Sequence, residues 1–356
     1  MSKIISHSKP TISEKDILAV KSQTASGMHA TGSKTKEFEN AMSKFIGMRY
    51  AKATSSGTTA LHLALLSLEI GKDDEVIIPS YVCQSVLNAV IYNGAKPVLA
   101  DIDSDFQRNG FNISSNTIKP LITKKTKAII VPHLFGIPSN IPEIRKIAKK
   151  IPIIEDCAQS LGAKSNGKML GTFGDVSIFS FYATKMISTG QGGMVLTNSK
   201  KIKDKLNILT QYDKKNQYGI SYNYCLTDIQ SALGLSQLSQ LKSFVSKRDE
   251  ISKLYDSFFS KTRFFLENLN GVKFRYIIKT KNKEELKKIQ DGLRRKNIIA
   301  SEPVFMPLHR CLKLNPRLFQ NTEKAQNTNL SIPIYPSLTR NDIYYIKKSF
   351  SELNLK

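Results

Sequence analysis

The chain has 356 residues, enough for two lobes with sizeable cores, and 40% of it is hydrophobic with no run near the roughly 18 to 20 apolar residues that a membrane span requires. Its formal net charge is +24, but the basic residues are mostly Lys spread along the whole chain, as at 124–127 and 200–205, without the aromatic-interleaved stripe of a nucleic-acid reader. Cys83, Cys157, Cys225 and Cys311 form no CxxC pair, and MSKIISHSKPTISEKD at the start has no secretory pattern, so a cytoplasmic chain with free thiols, no metal, and no nucleic-acid or membrane partner is expected.

Between about residues 50 and 200, short β-branched runs alternate with helical patterns, in the order DEVIIPS, KPVLADID, AIIVPH, PIIEDCA, DVSIFSF and GGMVLTN. Several are apolar almost throughout, which predicts strands covered by helices on both faces of a mainly parallel sheet. Ligands sit beyond the carboxyl ends of strands in open α/β sheets, so Ser80, His133 and Asp156 are expected where a site should be. Near Thr227 a long helical pattern begins, carried by Ile229, Ala232, Leu233, Leu238, Leu241, Val245, Ile251, Leu254 and Phe258 at spacings of mostly three, four or seven. It is expected to bridge two lobes. The pattern then predicts a strand in VKFRYIIK, a helix in KEELKKIQDGLRRK, a second strand in IIASEPVF and a last helix capped by Thr339, with Asp342 in its first turn. The expected division is residues 1–230 as a large α/β domain and 231–356 as a small α+β domain.

Three features, in chain order, carry chemistry. ATSSGTTALHLALLSL (53–68) sets Gly57, Thr58 and Thr59 ahead of strong helix formers. Free N–H groups at a helix start, close approach at Gly57 and nearby hydroxyls suit a phosphate, and an ordinary capped helix fits the same residues. Asp156 ends the apolar run PIIED with Gln159 three residues on; a carboxylate there can keep a pyridine nitrogen protonated, or simply cap a helix. Lys185 follows DVSIFSF and precedes a Gly-rich turn. Desolvation would lower its pKa towards a reactive amine, although a single Lys in such a chain is more often a surface residue. An anchored phosphate, a protonated ring nitrogen and a Schiff-base lysine are together what pyridoxal 5′-phosphate (PLP) needs.

The segments TGSKTKEFENAMSKFIG, SSGTTALHLAL, GKDDEVIIPSY, GAKPVLADID, EDCAQSLGA, FSFYATKMISTGQGGMVLT, YNYCLTDIQSALGLSQL and LSIPIYPSLT run collinearly over nearly the whole chain. As an ordered set they resemble the DegT/DnrJ/EryC1/StrS family of PLP-dependent sugar aminotransferases. The resemblance implies the aspartate-aminotransferase-like architecture, PLP fold type I. It implies that Lys185 forms the Schiff base, that Asp156 pairs with the pyridine nitrogen, and that Gln159 contacts the ring. Ser180, Gly57 and Thr58 match the family's phosphate-binding positions, and Asn223 resembles an asparagine that reaches the phosphate bound by the neighbouring subunit of a homodimer.

The chain departs from the family pattern at three places. Cys83 stands where most relatives place an aromatic against the cofactor ring, leaving Tyr81 as the nearest aromatic, Cys225 stands where many have Arg, and SGMHATG replaces a Ser-Gly-Trp segment. His309 in FMPLH resembles a late histidine lining the substrate channel and fits a core histidine equally, whereas His133 is expected as a hydrogen-bonded support of the cofactor loop. The activity implied is amino transfer from L-glutamate to a nucleotide-diphosphate 4-keto-6-deoxy sugar, for O-antigen, capsule or other glycans. The alternatives are a 3-keto nucleotide sugar or a cyclitol ketone as acceptor, a non-catalytic PLP-fold regulator, and a dehydratase of the same fold, whose members carry His in place of the lysine.

Overall fold

The computed structural model describes residues 4–213, 218–267 and 270–353; residues 1–3 of the N-terminal segment lie outside them. The strands in chain order are β1 (Tyr50–Thr54), β2 (Glu75–Pro79), β3 (Lys96–Ala100), β4 (Thr126–Pro132), β5 (Ile153–Asp156), the short hairpin β6 (Lys164–Ser165) and β7 (Lys168–Met169), β8 (Val176–Ser180), β9 (Gly193–Thr197), β10 (Tyr276–Lys279) and β11 (Asn329–Ile332). Seven of them form one sheet in the order β1-β9-β8-β5-β4-β2-β3. Pairing is parallel from β8 through β5, β4 and β2 to β3, and antiparallel where β9 meets β8 and β1. All six predicted runs are strands of this sheet. β1 was not predicted: YAKAT is short and half-polar, and it becomes a strand through its ladder with β9.

Alternation explains why the central runs are apolar throughout. Ile78, Ile130, Ile154 and Ile178 face Leu61 and Leu65 of the helix Gly57–Ser67, whereas Ile77, Ile129, Val131 and Ile153 face Ile141 and Ile144 of the helix Ile141–Ala148. A helix of 32 residues, Asp228–Phe259, begins at Thr227, whose side chain accepts from the Gln230 amide in a capping box. It is about 48 Å long. Leu241 and Phe244 pack into the large-lobe cluster with Phe38 and Phe181, while Ile251, Tyr255 and Phe259 pack into the small lobe with Tyr276, Ile289, Ile346 and Phe350. The helix therefore packs into both clusters.

The small lobe differs from the sequence expectation in one strand. β10 pairs antiparallel with β11, while IIASEPVF makes only isolated bridges, Ile298 with Ile5 and Ser301 with Ser331. Pro303 has no N–H to continue a ladder, and the Asn329–Ile332 segment takes the place beside β10. The last helix, Arg340–Ser351, is capped by Thr339 and Asp342 as predicted. The expected boundary at residue 230 is crossed in both directions. Ile5 lies in the small-lobe core, and Val304, Leu308, Phe319 and Ala325 lie in the large-lobe core. Among the described residues no helix is long and apolar enough to cross a membrane.

Candidate active site

The sheet register assembles the site. Ser180 at the end of β8 is opposite Gly193, and Gly193 is opposite Thr54 at the end of β1, so the turn opening the helix Gly57–Ser67 lies beside Ser180. A Cβ on Gly57 would meet the Ser180 Cβ at 2.8 Å and its Oγ at 3.1 Å, and one on Gly193 would meet the Ser56 carbonyl at 2.3 Å. Only glycine fits at either place. Ser56 caps the helix through the Thr59 amide, which leaves the Gly57 and Thr58 amides without a hydrogen-bond partner among the described residues. With the Ser180 hydroxyl they form a small cup of donors at a helix N-terminus, suited to a phosphate.

Asp156 ends β5 between Pro132 of β4 and Ile178 of β8. It caps no helix. Its Oδ1 accepts from the Ala158 amide at 3.0 Å, and Oδ2 has no hydrogen-bond partner among the described residues. Burial raises the Asp156 pKa, opposed by the Ala158 amide and the nearby charges of Lys185 and His133. Lys185 lies in the loop from β8 to β9, which folds on itself through Lys185 N–H to Tyr182 O at 2.8 Å and Ala183 N–H to Gly190 O at 3.0 Å. Its amine makes no hydrogen bond to a described residue and lies 5.5 Å from the Phe274 ring centroid. Burial lowers the Lys185 pKa and the charge of Arg275 adds to this, against the opposing influence of Cys83 and Asp156. A cup of donors, a half-satisfied buried carboxylate and a desolvated amine at adjacent strand ends fit the phosphate, ring nitrogen and aldehyde of PLP.

Behind these residues stands a scaffold of which the sequence signalled only part. Glu155 Oε1 accepts from the amides of Phe173 and Gly174, both at 2.5 Å, and its Oε2 accepts from Gly171 N–H at 2.8 Å and is 3.0 Å from His133 Nε2. His133 Nδ1 accepts from the Ser139 amide at 2.9 Å, so Nε2 is the donor to Glu155 and the ring is a hydrogen-bonded support. Cys157 lies close to both, but the bonds on Glu155 and His133 are already taken. Gln159 Oε1 accepts from the Phe135 amide at 2.8 Å and holds Phe135 at a left-handed φ of 58°. Gln159 thus fixes the loop after β4 while its amide nitrogen makes no hydrogen bond to a described residue.

Three sequence expectations are corrected. Tyr81 does not offer a ring to the site: it is fully buried, packed against Phe111 and Phe135, and its hydroxyl has no partner among the described residues. Cys83 is exposed, at the start of the helix Gln84–Tyr92, so no ring is offered from that position. Ser80 and His309 do not line a channel. His309 is fully buried, with Nδ1 2.7 Å from Ser80 Oγ, Nε2 2.7 Å from Glu323 Oε1 and its ring stacked on Phe319 at 4.6 Å. The pair clamps residues 307–312 to the end of β2. Asn223 is exposed, next to Tyr224, whose carbonyl accepts from the Ser55 amide at 2.8 Å.

Comparison with known proteins bears on this geometry. Residues 10–351 match the DegT/DnrJ/EryC1/StrS aminotransferase family. The GDP-perosamine synthase of Escherichia coli O157:H7 is 36% identical over 334 residues, covering 90% of each chain, and that of Vibrio cholerae is 32% identical over 318 residues, covering 85% of each. The PLP form of the putative sugar aminotransferase Spr1654 from Streptococcus pneumoniae superposes with a TM-score of 0.90 at 26% identity, covering 99% of this chain and 98% of that one. With the fold, the ordered motifs, and the lysine, the carboxylate and the cup of donors gathered at one side of the sheet, the chain belongs to the DegT/DnrJ/EryC1/StrS aminotransferase family and is a PLP-dependent aminotransferase.

Proposed function

We propose that this enzyme transfers an amino group from L-glutamate to the keto carbon of a nucleotide-diphosphate 4-keto-6-deoxy sugar, in the making of an amino sugar for a surface polysaccharide or glycan. The observation that carries this is a lysine amine and a buried carboxylate at neighbouring strand ends, in a chain whose 36% and 32% identical relatives are named for making GDP-perosamine. Guanosine diphosphate is accordingly the leading carrier. Bound PLP supplies an electron sink. Lys185 Nζ, lowered in pKa by burial, takes a proton from the donor's α-carbon and returns one at the acceptor's former keto carbon. Asp156 would keep the ring nitrogen protonated, and Gly57, Thr58 and Ser180 would hold the phosphate. His at the lysine position marks the dehydratase alternative; here that position is Lys185. Asn223 is exposed on the flank of the cup, which supports a homodimer in which it serves the partner's phosphate.

The test is to supply the PLP-loaded protein with glutamate and a panel of nucleotide-diphosphate keto sugars, and to follow products by mass spectrometry. An amino sugar from the 4-keto acceptor is expected. Equal or faster turnover of a 3-keto isomer or a free cyclitol ketone would replace this acceptor.

A further inference from the structure

Arg275 belongs to none of the motifs that built the site, yet it stands at its edge. Its guanidinium carbon lies 4.9 Å from the Phe274 ring centroid, and the Lys185 amine lies 5.5 Å from the same centroid. The two cations are therefore separated by no more than the sum of those distances. Arg275 Nη1 donates to Ser8 Oγ at 2.8 Å and to His7 Nδ1 at 3.0 Å, and His7 Nε2 is 2.9 Å from Ser331 Oγ. Among the described residues no carboxylate pairs with Arg275, and its Nε is buried without a partner.

A half-buried guanidinium whose Nε is buried without a partner is costly to hold without an anion. Burial lowers the Arg275 pKa to about 10, and its charge depresses Lys185 and Arg248 in turn. Arg248, a cation itself, adds to the unpaired positive charge, its Nη1 bonded to the Ile334 carbonyl at 2.9 Å. His7 is kept neutral, its pKa lowered to about 3 by burial and then by Arg275, so it serves as acceptor and aims the guanidinium. The cup at Gly57 and Ser180 already accounts for the cofactor phosphate, which leaves the anion at Arg275 to come from a substrate.

We propose that Arg275 is the carboxylate seat of the amino-acid donor, with His7 and Ser8 from the N-terminal segment fixing the orientation of its guanidinium. The proposal rests on the aminotransferase reading above. In an α-amino acid the carboxylate is bonded to the same carbon that must give its proton to Lys185, so its seat has to stand beside that lysine. The diphosphate of a nucleotide sugar is held away from the keto carbon by the breadth of the sugar ring. A planar guanidinium with its Nη1 side fixed and its Nε free can take a carboxylate on two parallel N–H groups, which a lysine cannot.

The experiment uses PLP-loaded enzyme without acceptor and measures, by calorimetry, binding of 2-oxoglutarate, which does not react with the pyridoxal form, and of guanosine diphosphate. Arg275→Gln is expected to weaken 2-oxoglutarate by about tenfold or more, with Arg275→Lys in between and Ser8→Ala a smaller loss in the same direction, while guanosine diphosphate is unaffected. If Arg275→Gln does not fold, the Arg275→Lys and Ser8→Ala variants decide. Wild-type enzyme that does not bind 2-oxoglutarate, or variants that bind it like wild type, overturns the seat. Loss of guanosine diphosphate binding instead assigns Arg275 to the acceptor's diphosphate and also overturns it. Failure of the functional reading is seen separately, as the absence of amino-sugar product from the wild-type enzyme.

Discussion

At the scale of single residues, the site turns on charged groups that folding places out of water. Burial lowers the Lys185 pKa, in the direction that the proposed role as a base needs, while its loop is held by backbone hydrogen bonds in which the amine takes no part. Lys185→Ala is therefore expected to leave the melting temperature nearly unchanged and to lower turnover by roughly 10²–10⁴-fold or more. Borohydride reduction of the wild-type holoenzyme followed by peptide mapping should find the pyridoxyl group on Lys185; finding it on another lysine refutes the assignment. His7 gives a pH signature. Its folded pKa is lowered from 6.5 to about 3, so between those values the unfolded chain binds a proton that the folded chain does not. Stability should fall as pH drops through that window, by up to about 1.4 kcal/mol per unit from this residue, and level off below about 3. Urea melts of wild type and His7→Gln at several pH values check this, since the variant should lose that share of the slope.

At the scale of elements, close approach matters more than charge. The cup of donors proposed for the phosphate exists because the helix Gly57–Ser67 starts against the end of β8, with no room for a Cβ between them. Gly57→Ala should push the turn off Ser180 at a cost of about 1–3 kcal/mol. PLP affinity is then expected to fall by roughly tenfold or more while the protein remains folded. Dialysis followed by the cofactor's visible absorbance reads the loss, and full retention would show that the turn relaxes without disturbing the donors. The clamp of His309 on Ser80 and Glu323 acts at the same scale: Arg310 and His309 hold Glu323 well below the usual carboxylate range, at about 2, and tie residues 307–312 to the large lobe. Nothing in FMPLH distinguishes such a clamp from a channel residue, because both place a histidine after a proline turn.

At the scale of the whole molecule, a flank of exposed aromatic and apolar side chains surrounds Asn223. Tyr92 is 60% exposed, Tyr218 98% and Ile220 70%, and Tyr222 and Tyr224 stack beside His62, which also meets the Tyr92 ring. Such a flank suits burial against a second copy, with Asn223 reaching across. If each site joins Lys185 of one subunit to Asn223 of the other, mixing Lys185→Ala with Asn223→Ala subunits creates one intact site per mixed dimer. Activity after dissociation and reassociation should then exceed that of either variant alone. Activity that stays at the level of the Asn223→Ala protein would place Asn223 outside the partner's site.

Much of this was legible in the sequence because it is encoded locally. Six strands were marked by apolar runs that need cover on both faces, the last helix start by Thr339 with Asp342, and the proposed chemistry by Asp156 at a strand end and Lys185 in the loop after another. Tertiary structure decided the rest. β1 and β11 are strands through ladders with segments some 140 and 53 positions away, which no local pattern records. Tyr81 and His309 turned inward because each met a partner from distant sequence: Phe111 and Phe135 for Tyr81, Ser80 and Glu323 for His309. Arg275 and His7 lie 268 positions apart and meet only because Ile5 is bridged to Ile298 and carried into the small lobe. Periodicity and capping act over a few residues and can be read along the chain, whereas desolvation and charge pairing depend on neighbours that only the folded core brings together.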